Sequence, residues 1–249
     1  MAKLSVNVNK IATLRNSRGG PIPSVVDAAR VCVEAGAPGI TVHPRADARH
    51  ITFDDVQALK HLLDPWKAVE FNIEGDPRPE LLNLVERVRP HQCTLVPVRP
   101  GEITSEAGWP PDTDEKDLRD VIARLRGHGI RVSLFVAADE QAVQFAHRVG
   151  ADRVELYTEP YAHAFATSSA PLSDTLAPFV RAATVAVELG LGVNAGHDLD
   201  LHNLRLFRTL PHLDEVSIGH ALISHALWVG LETSVKDYLA ALAFSGPRP

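Results

Sequence analysis

Basic charge is scarce in this chain. Its 249 residues carry 25 Lys and Arg against 31 Asp and Glu, a formal net charge of −6. A surface built to neutralise a nucleic-acid backbone needs the opposite balance, so DNA and RNA are excluded as main partners. A few local donors would still suffice for phosphorylated small molecules. Only two cysteines occur, Cys32 and Cys93, far apart and inside apolar segments. They read as buried thiols; no disulfide framework or metal-type cysteine spacing is present. Long hydrophobic runs are also missing. The best stretch, HALISHALWVGL, contains two histidines and is too short to span a bilayer. The amino-terminal MAKLSVNVNK has no apolar core of signal-peptide length, so the expected compartment is the cytoplasm, with no membrane partner. Low-complexity tracts are absent apart from a short SGPRP tail. No GxSxG elbow, Walker loop, HxH or HExxH pair is found.

What is present is a regular alternation of short β-rich runs and longer helical runs. Strands are predicted at Leu4–Val8, Gly39–His43, Ala68–Asn72, Cys93–Val96, Arg131–Val136, Arg153–Tyr157, Gly192–Asn194 and Glu215–Ile218. Between them, apolar residues recur at helical spacing, with Ser24 and Thr52 as caps, Pro79 in a first turn, and Gly129, Gly150 and Gly190 as stops. The joints EAGAPGITVH and RVGADRVELY repeat one plan, helix end then strand. Eight strand–helix units with no break in composition imply an α/β chain closed as a (β/α)₈ TIM barrel, one domain over residues 1–249. The competing open doubly wound sheet would want a GxGxxG turn after strand one, which is lacking.

In such a barrel, chemistry gathers at the carboxyl ends of the strands. Asn7, Asn9, Lys10, Arg15 and Arg18 follow strand one; His43, Arg45, Arg49 and His50 follow strand two. Strand three carries Glu70, read as an inward carboxylate between Val69 and Phe71; strand six carries Glu155. The long strand-four loop, expected to act as a mobile lid, holds Glu102 and Thr104; strands seven and eight end in His197 and in Gly219 with His220. Taken singly, each histidine reads as a polar rim residue, and Glu70 as a neutraliser of an arginine. Their convergence on one face favours catalysis. Histidines exchange protons at neutral pH, a desolvated glutamate can serve as acid or base, and arginines with glycine N–H groups hold phosphate. Metal ligation competes for the same residues, but Arg45 so close to His43 would oppose a divalent cation. The expected chemistry is proton transfer on phosphorylated, carbonyl-bearing molecules without a cofactor.

VNVNKIATLRNSRG, GITVHPRADARHI, the strand-three glutamate, LVP with EITSEAGW, VNAGHDL and SIGHALI resemble the pyridoxine 5′-phosphate synthase family, in order from residue 4 to about residue 230. The resemblance implies a barrel with a few extra helices, no metal or organic cofactor, and assembly as a homo-oligomer. It also implies condensation of 1-deoxy-D-xylulose 5-phosphate with 3-amino-2-oxopropyl phosphate, releasing inorganic phosphate and water. It assigns general bases to His43 and Glu70 and a proton donor to His197. Arg45, His50 and Thr104 become contacts to the pentulose phosphate, and Asn7, Arg18, Gly219 and His220 contacts to the amino-ketone phosphate. The chain departs from the family's pattern at Asn9 and Lys10, where Asp-His is usual, and at Asp198, where glycine is usual; all three remain expected substrate contacts. The alternatives are a barrel isomerase or aldolase acting on another sugar phosphate, and a barrel kept for binding or scaffolding. A Schiff-base aldolase needs a strand-borne lysine, and Lys67 lies at the amino end of strand three.

Overall fold

The structure is a computed structural model that describes residues 1–97, 107–167 and 172–243. Eight strands close into one parallel barrel in sequence order: β1 (Lys3–Asn7), β2 (Gly39–Val42), β3 (Glu70–Gly75), β4 (Gln92–Leu95), β5 (Arg131–Val136), β6 (Arg153–Tyr157), β7 (Gly192–Gly196) and β8 (Leu213–Ile218). The described helices are α1 (Asn9–Asn16), α2 (Val25–Glu34), α3 (Phe53–Leu63), α4 (Pro79–Val88), α5 (Glu115–Gly127) and α6 (Glu140–Arg148). They continue with α7 (Glu159–Thr167), α8 (Leu172–Glu188), α9 (Leu204–Phe207), α10 (His220–Val229) and α11 (Leu231–Ala243). The expected TIM barrel with a few extra helices is what the chain forms. Three helices were not foreseen: α1, α7 and α9.

Local chemistry explains the joints. Ser24 caps α2 by accepting the Asp27 N–H at 3.1 Å, and Thr52 and Asp55 form a reciprocal capping box on α3. Gly129, Gly150 and Gly190 follow α5, α6 and α8 in the left-handed conformation (φ +75°, +85° and +78°) that ends a helix. Helix α1 escapes sequence reading because only Ala12 is buried along it, which leaves no apolar stripe to see. The Arg15 guanidinium holds it instead, donating to both oxygens of Asp55 at 2.5 and 2.9 Å.

The strands obey a strict period of two. Leu4, Val6, Ile40, Val42, Phe71, Ile73, Cys93, Leu95, Val132, Leu134 and Val136 are buried and belong to one hydrophobic core. Their alternates are mostly polar, Phe135 on β5 being an exception, and meet one another inside the barrel. Ser5 and Thr41 hydroxyls lie 2.6 Å apart, and Asn72 Nδ2 donates to Thr41 at 3.3 Å. The opposite face of each strand is therefore the helix-packing face, and the lumen is a hydrogen-bonded polar column rather than an aliphatic plug.

Near the mouth, the chain after the undescribed residues 98–106 crosses the ends of β4 and β5. Trp109 donates its backbone N–H to Phe135 O at 2.9 Å and its indole N–H to Leu95 O at 3.0 Å. The seat requires Gly108, where an added Cβ would lie 2.4 Å from Val136 Cα. Gly108→Ala is expected to cost about 1–3 kcal/mol through backbone displacement, read as a lower denaturant midpoint; an unchanged midpoint would show that this crossing is not tightly packed.

Candidate active site

The carboxyl ends of the strands surround a cavity of about 500 Å³. Asn7, Asn9, Lys10, His43, Arg45, His50, His197, Asp198, Gly219 and His220 all line it. Two expected residues do not. Arg18 is exposed on the turn after α1 and is not among the lining residues, and Glu70 sits at the other end of the barrel. Thr104 and Glu102, with most of the expected lid, lie outside the described residues.

The Glu70 assignment needs correction. Strand β3 begins at Glu70, because a turn through Trp66 carries the chain to Val69, whose N–H donates to Trp66 O at 2.9 Å. The Glu70 carboxylate accepts from Lys3 Nζ at 2.6 Å and from the Arg131 guanidinium. These two cations outweigh partial burial and hold it down to about 2. Burial is nevertheless the largest single influence on it, acting in the opposite direction. The carboxylate in the cavity is Glu74, two periods further along the same strand and on the same face.

Glu74 Oε2 lies 4.0 Å from His43 Nδ1, too far for a hydrogen bond. Its weak partners are Asn7 Nδ2 and Ser217 Oγ, each 3.5 Å away. Burial first, then the neighbouring Glu155, pushes the Glu74 carboxyl well above the ordinary carboxylate range. Burial also lowers His43 to about 3, helped by His50, Arg45 and Arg78. Glu74 is thus shifted toward its protonated form and His43 toward its neutral form, which disfavours an ion pair between them. His43 Nε2 is buried without a hydrogen-bond partner among the described residues. His50 is lowered to about 4, chiefly by burial and then by Arg45 and Lys10.

Glu155 also lines the cavity, held on strand β6 over Gly196, where an added Cβ would come within 2.5 Å of its Oε1. Burial, then Glu215, raises it to about 8. The Thr94 hydroxyl, 3.1 Å from Asn72 Oδ1 and 3.3 Å from Glu155 Oε2, donates toward both acceptors, and its contact with Glu155 offsets part of that rise.

On the opposite rim, His197 and Asp198 adopt left-handed backbone conformations (φ +91° and +57°). Non-glycine residues rarely do so, and such strain clusters at functional sites. Thr158 Oγ1 donates to the backbone carbonyls of Gly196, at 2.8 Å, and His197, while Asn203 Nδ2 donates to Asp198 O at 3.0 Å. The His197 ring packs edge-on to Tyr157 at 5.2 Å, and its Nδ1 lies 3.2 Å from Asp198 Oδ2. That contact leads in lowering the Asp198 carboxyl. Asn9 accepts the His43 backbone N–H on its amide oxygen at 2.9 Å, a task that needs no charge. Helix α10 starts at His220 without a side-chain cap, leaving backbone N–H groups beside the cavity for an anion. Among the described residues, no group of three or more His, Cys, Asp or Glu side chains is placed to hold a metal ion.

A model of the pyridoxal phosphate biosynthesis protein PdxJ family matches residues 4–243. The chain belongs to that family. Among relatives, a pyridoxine 5′-phosphate synthase of Bacteroides fragilis is 54% identical over 239 residues, covering 96% of this chain and 98% of that protein. One of Leptospira biflexa, of the same name, is 49% identical over 255 residues, covering 98% of each. Among solved structures, a Mycobacterium tuberculosis tryptophan synthase superposes with a TM-score of 0.65 at 13% identity, covering 98% of this chain and 93% of that one. An aldolase acting on 4-hydroxy-2-oxoglutarate gives 0.58 at 17%, covering 96% and 93%. At those identities the likeness is one of barrel fold. No described helix of this PdxJ-family chain is long and apolar enough to cross a membrane.

Glu70→Gln is expected to leave turnover within about threefold of the parent, since its carboxylate lies outside the cavity. Its effect should fall on stability. A carboxyl held below its unfolded value near 4.5 stabilises fully above that pH and loses the effect as pH falls through about 2. Denaturation curves of the two proteins should therefore differ at neutral pH and converge in acid. A hundredfold loss of turnover, of the order seen when a general base is removed, would return Glu70 to the catalytic set.

Proposed function

We propose that the chain condenses 1-deoxy-D-xylulose 5-phosphate with 3-amino-2-oxopropyl phosphate to pyridoxine 5′-phosphate, inorganic phosphate and water. The observation that carries this reading is one cavity holding neutral His43, protonated Glu74 and Glu155, and a His197–Asp198 pair, with cationic Lys10 and Arg45 on the same wall. The names of the full-length relatives support the substrates.

The roles follow from protonation state. Imine formation between the amine and the ketone requires a proton to leave nitrogen and water to leave carbon. Neutral His43 accepts the first proton, and Glu74 supplies one to the departing oxygen and recovers it at the next step. Glu155 lines the same cavity, and ionisation of either carboxyl disfavours ionisation of the other. His197, oriented by Asp198, protonates an oxygen on the far side as the ring closes. Asp198 thus acts through its carboxylate on His197, an arrangement that glycine cannot provide. Arg45, Lys10 and His50 suit one phosphate, and the N–H groups at the start of α10, with Gly219, His220 and Asn7, suit the other. Arg18 and Thr104 are proposed substrate contacts on family resemblance alone. The fully exposed ends of Leu227 and Trp228 (71% and 87%) support a homo-oligomer, and the biosynthetic role a cytoplasmic one.

The test is incubation of the purified chain with both substrates, followed by detection of the pyridoxine phosphate chromophore and free phosphate. Absence of both products would overturn the reading. Glu74→Gln is expected to lower turnover by about 10²–10⁴-fold with substrate affinity near the parent value by calorimetry. His197→Asn should lower turnover as well and weaken amino-ketone phosphate binding. Full turnover in Glu74→Gln would remove strand three from the chemistry.

A further inference from the structure

Below the cavity, the lumen holds a second buried carboxyl that the reaction does not touch. Glu215, on β8, is 3% exposed and accepts from Asn194 Nδ2 at 3.3 Å. Asn194 also donates to Gln92 Oε1 at 3.3 Å, and Gln92 Nε2 reaches Thr94 Oγ1 at 3.5 Å. Thr94 is the partner of Glu155. One row of hydrogen bonds thus runs from the floor of the cavity to the amino half of the barrel.

Two arginines fix the direction of that row. Arg131 Nε donates to Gln92 Oε1 at 2.9 Å, and an Arg153 guanidinium nitrogen donates to Asn194 Oδ1 at 2.8 Å. Each amide must then turn its NH₂ inward, toward Thr94 in one case and Glu215 in the other. A flipped amide would set its NH₂ against a guanidinium, two donors facing each other. The amides cannot hand protons along, but they hold Glu155 and Glu215 in fixed relation within a medium of low polarity, where one carboxylate's charge acts strongly on another.

We propose that Glu215 is a positioning residue that governs the protonation of Glu155, through its charge and through the Thr94–Gln92–Asn194 row, during the reaction proposed above. When Glu215 is ionised, Glu155 keeps its proton; when Glu215 is neutral, Glu155 can release it. The surroundings make this coupling effective. Glu215 faces Lys3 on β1, Glu70 on β3, Arg131 on β5 and Arg153 on β6, with the Asp214 carboxylate at the rim 3.8 Å from Arg153. Lys3 and Arg131 are already engaged with Glu70, so their charge on Glu215 is partly cancelled. Glu155 faces Glu74 from β3 and Glu215 from below, with His43, His197 and Asp198 lining the same cavity. Burial holds Glu215 near 7, close to working pH, so its charge is the one that changes there.

The experiment compares the parent with Glu215→Gln, Glu215→Met and Glu215→Asp. Gln keeps the acceptor for Asn194, Met keeps the length without charge, and Asp keeps the charge. The readouts are the pH profile of kcat and the infrared titration of protonated carboxyls, with the Glu155 band identified by its loss in Glu155→Gln. In the Gln and Met variants, the Glu155 band and the alkaline limb of kcat should both move to lower pH by about half to one unit, with KM unchanged. Asp should hold both near the parent position. A folded Gln or Met variant whose Glu155 band and limb stay in place would overturn the proposal. If the parent forms no pyridoxine phosphate, the reaction reading fails, and the infrared titration still judges Glu215 by itself.

Discussion

The site depends on two buried carboxyls, set in a polar barrel, whose hydrogen-bond partners are neutral, although Lys10 and Arg45 line the same cavity. Alternation along the strands turns side chains into the lumen, and here most of the buried ones are hydroxyls, amides and carboxyls. Lys3, Arg131 and Arg153 all lie at the amino end, where they engage Glu70, Gln92 and Asn194. Among the described residues, Glu74 and Glu155 hydrogen-bond to an amide and to hydroxyls, and not to a lysine or arginine. A buried carboxyl without a cation keeps its proton. Acid groups at one end of the barrel and a salt-bridged carboxylate at the other therefore arise from a single gradient in the placement of charge.

That gradient also separates roles that look alike in composition. Glu70 and Glu74 share a strand, a face and a chemistry, yet one is held near 2 by Lys3 and Arg131 and the other stays protonated. On the rim, the neutral imidazole of His43 faces the protonated carboxyl of Glu74, while His197 is paired with the ionised Asp198. The cavity thus holds groups ready to accept and to donate before any substrate arrives.

Much of this was legible in the residues. Helix stops, caps and the repeated joints gave the barrel, and β5 and β6 were bounded as observed. The rim residues were legible because each follows a strand directly. Glu74 was not, for a physical reason: a period of two cannot tell residue 70 from residue 74, and only the turn through Trp66 decides where β3 starts. A signal did exist. Strands one and two present Asn7 and His43 where their apolar alternation ends, and Glu74 stands in the matching place before Gly75 and Asp76. The polar lumen is not legible in strands this short, where hydroxyls and amides such as Ser5, Thr41, Asn72 and Thr94 stand between apolar neighbours. Helix α1 leaves no apolar trace, so the sequence places Lys10 only after strand one, although it extends from a helix beside the cavity.

The retained protons reach beyond the chemistry. The formal charge of −6 counts every carboxyl as ionised. Burial makes Glu74, Glu155 and Glu215 hold their protons more tightly than that count assumes, so the folded chain is less negative near neutral pH. Unfolding would return these groups to ordinary acidity and expel their protons into solution. Because their folded values are raised, the stabilisation linked to those protons is complete in acid and disappears as pH climbs through about 7 and 8. Alkali therefore loosens the barrel from inside at these carboxyls, while acid works against it at His43, held at about 3, and at Glu70, held at about 2.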